Sequence, residues 1–250
     1  MHRYFRFIRL IFLLFNAFFI IGFSRDNNKL IQQGLDEKKV LGLQKCFKKF
    51  LLLLNINIVF HGEPVQSPKM IVCNHVSWVD VVILISIYPG HFIAKSEIRS
   101  WPILGAMVCS AGTLFIKRGL RSEIKKLGQQ IEQIIKNKSN VVFFPEGATG
   151  DGKQINTIYS GLFESAIIAG MDVQPMLVIY NDSSGYPSEK IPYVGEQHLL
   201  SSIWTVLGEK QITAHLFALE SLSSKEYTRK EIGKQVGKLL SLKLAEEIND

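Results

Sequence analysis

Cysteine is scarce in this chain, and so is any pattern that would put it to use. Cys46, Cys73 and Cys109 are the three in 250 residues. No two form a C-x-x-C pair and none has ligand spacing to a histidine, which argues against a structural zinc site and against a disulfide framework. An odd count without a framework fits a reducing compartment, with all three read as small apolar residues. The chain also lacks internal repeats, low-complexity tracts and long linkers, so one large α/β domain with a full core is the natural expectation. Neither the Walker spacing nor the G-x-G-x-x-G pattern occurs, which removes the usual signs of a P-loop or dinucleotide fold. No apolar run is as long as a perpendicular membrane span needs; LIFLLFNAFFIIGF (10–23) falls short of roughly 20 residues. It resembles a signal peptide, but SRDNNK follows in place of a small-residue cleavage pattern.

Acidic residues are nearly missing from one part of the chain. Residues 1–50 hold ten Lys/Arg against three Asp/Glu, whereas the other 200 residues carry nineteen of each sign. The whole net charge of +7 therefore sits in an apolar N-terminus. That placement points to anionic membrane lipid and away from nucleic acid, whose binders spread positive charge over a folded face. MHRYFRFIR (1–9) is basic and aromatic, and KCFKKFLLLL (45–54) mixes lysines with apolar residues before ending in four leucines. Two apolar segments flanked by positive charge fit a span plus an interfacial helix, or a hairpin dipped into one leaflet. Basic residues on both flanks leave orientation open by the positive-inside rule. Residues 1–54 are thus expected to anchor the chain to a membrane, and residues 55–250 to form the α/β domain.

Past residue 55 the pattern changes to short apolar runs bounded by turn residues: 55–62, 69–74, 91–95, 112–117, 140–145 and 171–180 read as strands. Between them lie helical stretches. In 121–138, Ile124, Leu127, Ile131, Ile134 and Ile135 line one face, and GLFESAIIAG (161–170) is another. Thr228 and Glu231 fit a capping box for a last helix through about residue 245, and 181–195 reads as a surface loop. Strands alternating with helices imply an α/β fold with a mostly parallel sheet covered by helices on both faces.

Three polar clusters stand at strand ends. In CNHVSWVD (73–80) a strand-like run leads to Asn74 and His75, with Asp80 five residues past the histidine. On a regular helix five residues turn through about 500°, so the two share a site only if His75 lies in a loop and Asp80 just inside the next helix. A carboxylate so placed accepts the imidazole N–H and fixes its tautomer, and the histidine can then deprotonate a hydroxyl near neutral pH. Alone, the pair is equally compatible with a structural histidine at a turn. In GTLFIKR (112–118) a strand delivers Lys117 and Arg118 to the mouth of a sheet, where open α/β folds bind ligands; Arg suits a phosphate, while Lys117 reads equally as a solvated strand end. In FFPEGATGDG (143–152) an apolar run enters Pro145, Glu146 and Gly147 and then a small-residue loop, either an ordinary glycine turn or one whose N–H groups meet an anion. His2, His61, His91, His198 and His215 have no comparable partner spacing, and Trp78, Trp101 and Trp204 read as packing or interface residues.

Together and in this order the clusters resemble the glycerolipid acyltransferases typified by 1-acylglycerol-3-phosphate acyltransferase. The family's N-H-x4-D block is matched at Asn74, His75 and Asp80, and its G-x-x-F-I-x-R block at Gly112, Phe115, Ile116 and Arg118. F-P-E-G is matched at Phe144 to Gly147, and the apolar strand around a proline corresponds to VQPMLV with Pro175. KSEIRSWPILG (95–105) is similar to the usual link between the first two blocks, and the likeness spans roughly residues 55–180. The resemblance implies a membrane-associated O-acyltransferase of phospholipid biosynthesis, carrying a fatty acyl chain from acyl-CoA or acyl carrier protein to the free hydroxyl of a lysophospholipid. It implies His75 as base and Asp80 as its orienter, with no covalent acyl-enzyme, so that Ser77 and Cys73 stand aside. Asn74, Lys117, Arg118, Glu146, Gly147 and Thr149 would serve the acceptor. No metal or organic cofactor is implied, and the catalytic domain would face the cytoplasm at the inner membrane. Where the family has Thr-Arg-Ser after the glycine, this chain has Ala148, Thr149 and Gly150. Lysophosphatidate, giving phosphatidic acid, is the first expectation for the acceptor, and lyso-ornithine lipid or another lyso-lipid the alternative, since Thr149 and Asp151-Gly152 are similar to that branch. Two other classes compete: a lipid-binding protein without turnover, and a thioesterase that uses water.

Overall fold

Met70 and Val72 point to one side of their strand and Ile71 and Cys73 to the other, and all four are buried. A strand that is apolar on both faces belongs in the middle of a covered sheet. In the computed structural model, which describes residues 2–21, 31, 36–65, 68–101, 104–117 and 121–249, this is where it lies. The strands are β1 (Ile56–His61), β2 (Met70–Cys73), β3 (Gly90–Lys95), β4 (Leu114–Ile116), β5 (Asn140–Phe143), β6 (Val173–Asn181) and β7 (Ile212–Ala218). They form one seven-stranded sheet in the order β1-β7-β6-β2-β5-β3-β4. Strands β2 to β6 run parallel, with Ile71 level with Val142 on one side and Gln174 on the other. β7 runs antiparallel to β6, and β1 parallel to β7.

The helices are α1 (His2–Ile21), α2 (Glu37–Leu53), α3 (Val79–Ile87), α4 (Leu104–Ser110), α5 (Arg121–Lys136), α6 (Phe163–Ala169), α7 (Leu199–Val206) and α8 (Arg229–Asn249). They divide between the two sheet faces as the strand alternation dictates. Ile71, Cys73, Met176 and Val178 meet Leu10 of α1, Phe50 and Leu51 of α2, Ile83 of α3 and Val206 of α7. Met70, Val72, Phe143 and Leu177 meet Leu127, Ile131 and Ile134 of α5, Phe163 of α6, and Ile232, Val236 and Leu240 of α8. The mostly parallel, doubly covered sheet is the expected one, and the 121–138 stripe faces the core as read, with Leu127, Ile131 and Ile134 buried and Ile124 and Ile135 partly so. α8 runs to Asn249, four residues past its expected end. Its capping box is formed: Glu231 accepts the Thr228 N–H at 2.8 Å.

β7 and α7 were not foreseen. ITAHLFA alternates, with Ile212, Ala214 and Leu216 buried, but Thr213 and His215 interrupt it as an apolar run. α7 starts without a side-chain cap. His61 and His215 also have a partner after all, each other: their Nε2 and Nδ1 lie 3.0 Å apart across β1 and β7.

The N-terminal helices pack onto the same core. Arg6 donates to the carbonyls of Leu53 at 2.6 Å and Leu207 at 2.7 Å, and hydrogen bonds from a charged donor contribute about 1.5–3 kcal/mol each. Arg3 donates to the Trp204 carbonyl and lies over that ring, 4.6 Å from its centroid. Among the described residues no helix is long and apolar enough to cross a membrane.

Candidate active site

The parallel strands β2 to β6 end on one edge of the sheet, and the polar clusters gather there. Leaving β2, the chain turns through Asn74 to Trp78 before α3 begins, which puts His75 in the loop and Asp80 in the first turn of the helix. This is the arrangement that the five-residue spacing requires. His75 Nδ1 lies 2.8 Å from Asp80 Oδ2. The same oxygen accepts the N–H groups of Val76 at 2.8 Å and Ser77 at 2.9 Å. On the other carboxylate oxygen, Oδ1, Asp80 accepts the Tyr180 hydroxyl at 2.5 Å. A carboxylate with four donors is held as an acceptor, so Nδ1 carries the imidazole proton and Nε2 presents its lone pair. The Asp80 side chain is wholly buried, while that of His75 keeps 18% of its surface. The imidazole is stacked on Phe144, with ring centres 3.9 Å apart.

The backbone around His75 is fixed from three sides. Asn74 is buried, and its amide pairs with β6 like a strand residue: Nδ2 donates to Val178 O at 3.0 Å and Oδ1 accepts Val178 N–H at 2.7 Å. Glu146, also buried, accepts the His75 N–H at 2.8 Å on one oxygen and the Asn156 N–H at 2.8 Å on the other. Burial raises its carboxyl above the ordinary value, and the two N–H donors pull it back down. The Gly150 N–H donates to the His75 carbonyl at 2.7 Å. A Cβ added at Gly150 would lie 2.4 Å from Asn156 Nδ2, so a side chain there would push the Asn156 amide aside. Gly147 makes the turn between them at φ +71°, a left-handed conformation that glycine adopts without strain. Thr149 Oγ1 donates to the Tyr193 carbonyl, and Tyr193 N–H to Val76 O at 2.9 Å, so the 182–198 loop is tied over the same site.

Structure therefore joins His75, Asp80, Asn74, Glu146, Gly147 and Thr149 in one cluster. Lys117 is exposed at the end of β4, on the same sheet edge but three strand spacings from β2, roughly 14 Å. Arg118 lies outside the described residues. Tyr180 escaped the sequence reading because it is an ordinary-looking strand residue 100 positions from its partner. Cys46, Cys73 and Cys109 are all buried, and burial pushes the Cys73 thiol well up.

The acyltransferase family model matches residues 57–179, a span that holds Asn74, His75, Asp80, Lys117, Glu146, Gly147 and Thr149. A lyso-ornithine lipid O-acyltransferase of Pseudomonas aeruginosa is 34% identical over 183 residues, covering 73% of this chain and 70% of the relative. A 1-acyl-sn-glycerol-3-phosphate acyltransferase of Neisseria meningitidis serogroup B is 36% identical over 189 residues, 75% of this chain and 74% of the relative. The chain belongs to the 1-acylglycerol-3-phosphate acyltransferase family. The fold of this acyltransferase is also that of the 1-acyl-sn-glycerophosphate (LPA) acyltransferase PlsC from Thermotoga maritima. The two superpose with a TM-score of 0.65 at 20% identity over 96% of this chain and 97% of the other.

Proposed function

We propose that this acyltransferase carries a fatty acyl chain from a thioester, acyl-CoA or acyl carrier protein, to the free hydroxyl of a lysophospholipid, with His75 as general base. The observation that carries the reading is the 2.8 Å bond from His75 Nδ1 to a buried, four-donor Asp80, which leaves Nε2 as the proton acceptor. Nε2 takes the hydroxyl proton as the oxygen attacks the thioester carbonyl; the C–S bond then breaks and the departing thiolate takes the proton back from Nε2. No acyl-enzyme is needed. Buried Cys73, whose thiol is pushed well up, is a poor nucleophile. Lys117 and Arg118 are assigned to the acceptor's anionic head group. Asn74, Glu146, Gly147 and Thr149 serve it by fixing the loops it docks against, because the polar atoms of the first two and the Thr149 hydroxyl already hold backbone.

Residues 1–54 anchor the chain in this reading, and residues 55–250 carry the chemistry. α1 buries Leu10 and Ala17, yet its opposite face exposes Tyr4, Phe5, Ile8, Ile11, Phe12, Phe15 and Phe19. A helix fastened to the domain along one side and mostly apolar on the other lies in the membrane interface with that outer side in lipid. Lys38, Lys39, Lys45, Lys48 and Lys49 are exposed on α2 beside it, complementary to anionic head groups. The membrane is the inner one and the catalytic domain faces the cytoplasm, a reducing compartment in keeping with three buried cysteines and no disulfide framework in the sequence.

Lysophosphatidate is the acceptor in the first reading, making phosphatidic acid. Ala148-Thr149-Gly150, where the family carries an arginine, favours lyso-ornithine lipid as the second. One labelled acyl donor offered with lysophosphatidate, lyso-ornithine lipid and lysophosphatidylcholine side by side tests this. The expected result is labelled product with one of the first two. Thioester consumed equally without any lyso-lipid would mark a thioesterase, and no consumption with lipid binding intact would mark a binding protein.

A further inference from the structure

Asp80 has two oxygens in unequal company. Oδ2 accepts His75 Nδ1 and two backbone N–H groups from its own loop. Oδ1 is met by one side chain, Tyr180, from β6. That strand also holds the other end of the motif, since the backbone of Val178 grips Asn74. The loop from Asn74 to Asp80 is thus clamped at both ends by residues two apart on a strand 100 positions downstream. Tyr180 is buried, and burial, the Asp80 charge and the hydrogen bond itself all raise its phenol well above the ordinary value, so it stays a neutral O–H donor. The other ionisable groups around the pair are Cys73, beneath Asp80 and Tyr180, and Glu146, bonded to the His75 backbone.

We infer that Tyr180 is a positioning residue of the acyl transfer: its hydroxyl holds Asp80 Oδ1, which keeps Oδ2 on His75 Nδ1 and draws off part of the carboxylate charge. The inference rests on the reading of His75 as base. A carboxylate stripped of this donor turns more freely and binds the imidazolium proton more strongly. Both effects hinder a base that must be neutral when the hydroxyl arrives and must then give its proton to the thiolate.

The test is steady-state acyl transfer by the purified full-length protein in lipid–detergent micelles, measured across pH for wild type, Tyr180→Phe and His75→Ala, with thermal melts of each. Tyr180→Phe is expected to lower kcat about tenfold with KM for donor and acceptor within about twofold. The acidic limb of its kcat/KM profile should move up by about one pH unit. Site-specific 3-fluorotyrosine at position 180 keeps the shape but donates more strongly, so its limb should move the opposite way; it also replaces the phenylalanine variant if that one does not fold. Limbs that coincide with wild type in the folded variants overturn the role of Tyr180 while leaving His75 as base, provided His75→Ala is inactive. Full transfer by His75→Ala overturns the base reading itself.

Discussion

His75 is held by its surroundings more than by its own side chain. Its N–H is bonded to Glu146, its carbonyl to Gly150 and its ring to Asp80. Glu146 makes a specific pH-dependent claim possible. Burial raises its carboxyl in the fold, so the folded chain binds this proton at a higher pH than the unfolded chain does. Its contribution to stability is then full below about pH 4.3, the unfolded value, and is lost as pH rises through the raised folded value. Glu146→Gln removes that decline but faces an NH2 group against the N–H of His75 or Asn156, losing a buried hydrogen bond of about 1–3 kcal/mol. Urea melts at several pH values should show the variant less stable in acid by that amount, with the deficit shrinking toward neutral pH. A deficit that widens as pH rises would contradict the assignment. At this scale His75, Asp80 and the Glu146 loop were legible because each stands at the end of an apolar run. What Asn74, Glu146 and Thr149 do was not legible: letters do not show that a polar side chain has already found its partners in β6, the His75 loop and Tyr193.

Among the elements, α1 and α2 carry the membrane reading. Phe12 and Phe15 are 65% and 61% exposed on a helix whose other side is in the core, and an inserted Phe contributes roughly 1.5–3 kcal/mol. Phe12→Glu with Phe15→Glu should weaken binding at least tenfold to neutral vesicles, and further to anionic ones, which the added carboxylates repel. Lys48→Ala with Lys49→Ala should weaken it only on anionic vesicles, by roughly thirtyfold at about 1 kcal/mol per lysine, with the loss fading in high salt. Unchanged flotation of both variants would remove the anchor from the account. Substitutions are preferable to deleting residues 1–54, because Leu10, Phe50, Leu51 and Leu54 are part of one sheet face's core. The apolar and basic character of this segment was plain in the sequence. Its docking was not, since Arg3 and Arg6 reach carbonyls some 200 residues away. β7 shows the same limit: its period-two alternation was present, but only pairing with β1 and β6 makes Thr213 and His215 strand residues.

Over the whole molecule, one edge of a mostly parallel sheet faces the chemistry, with the histidine in the loop that follows the central strand β2 and Lys117 at the end of the far strand β4. The first sheet face is covered by α1 and α2, so the apolar outer surface belongs to the same rigid packing that holds the loop of His75. The fold was legible because strands and helices alternate in their hydrophobic periods, and the family was legible in the order of the three clusters. The distance from His75 to Lys117 was not, because it depends on β5 and β3 being inserted between β2 and β4. The central claim is that His75 is the base. Its most direct test is the rate of labelled acyl transfer to lysophosphatidate and lyso-ornithine lipid by purified His75→Ala, with its melting temperature measured on the same sample. The account predicts a folded protein that still binds vesicles and has lost at least 100-fold in kcat; a folded protein transferring at the wild-type rate would contradict it.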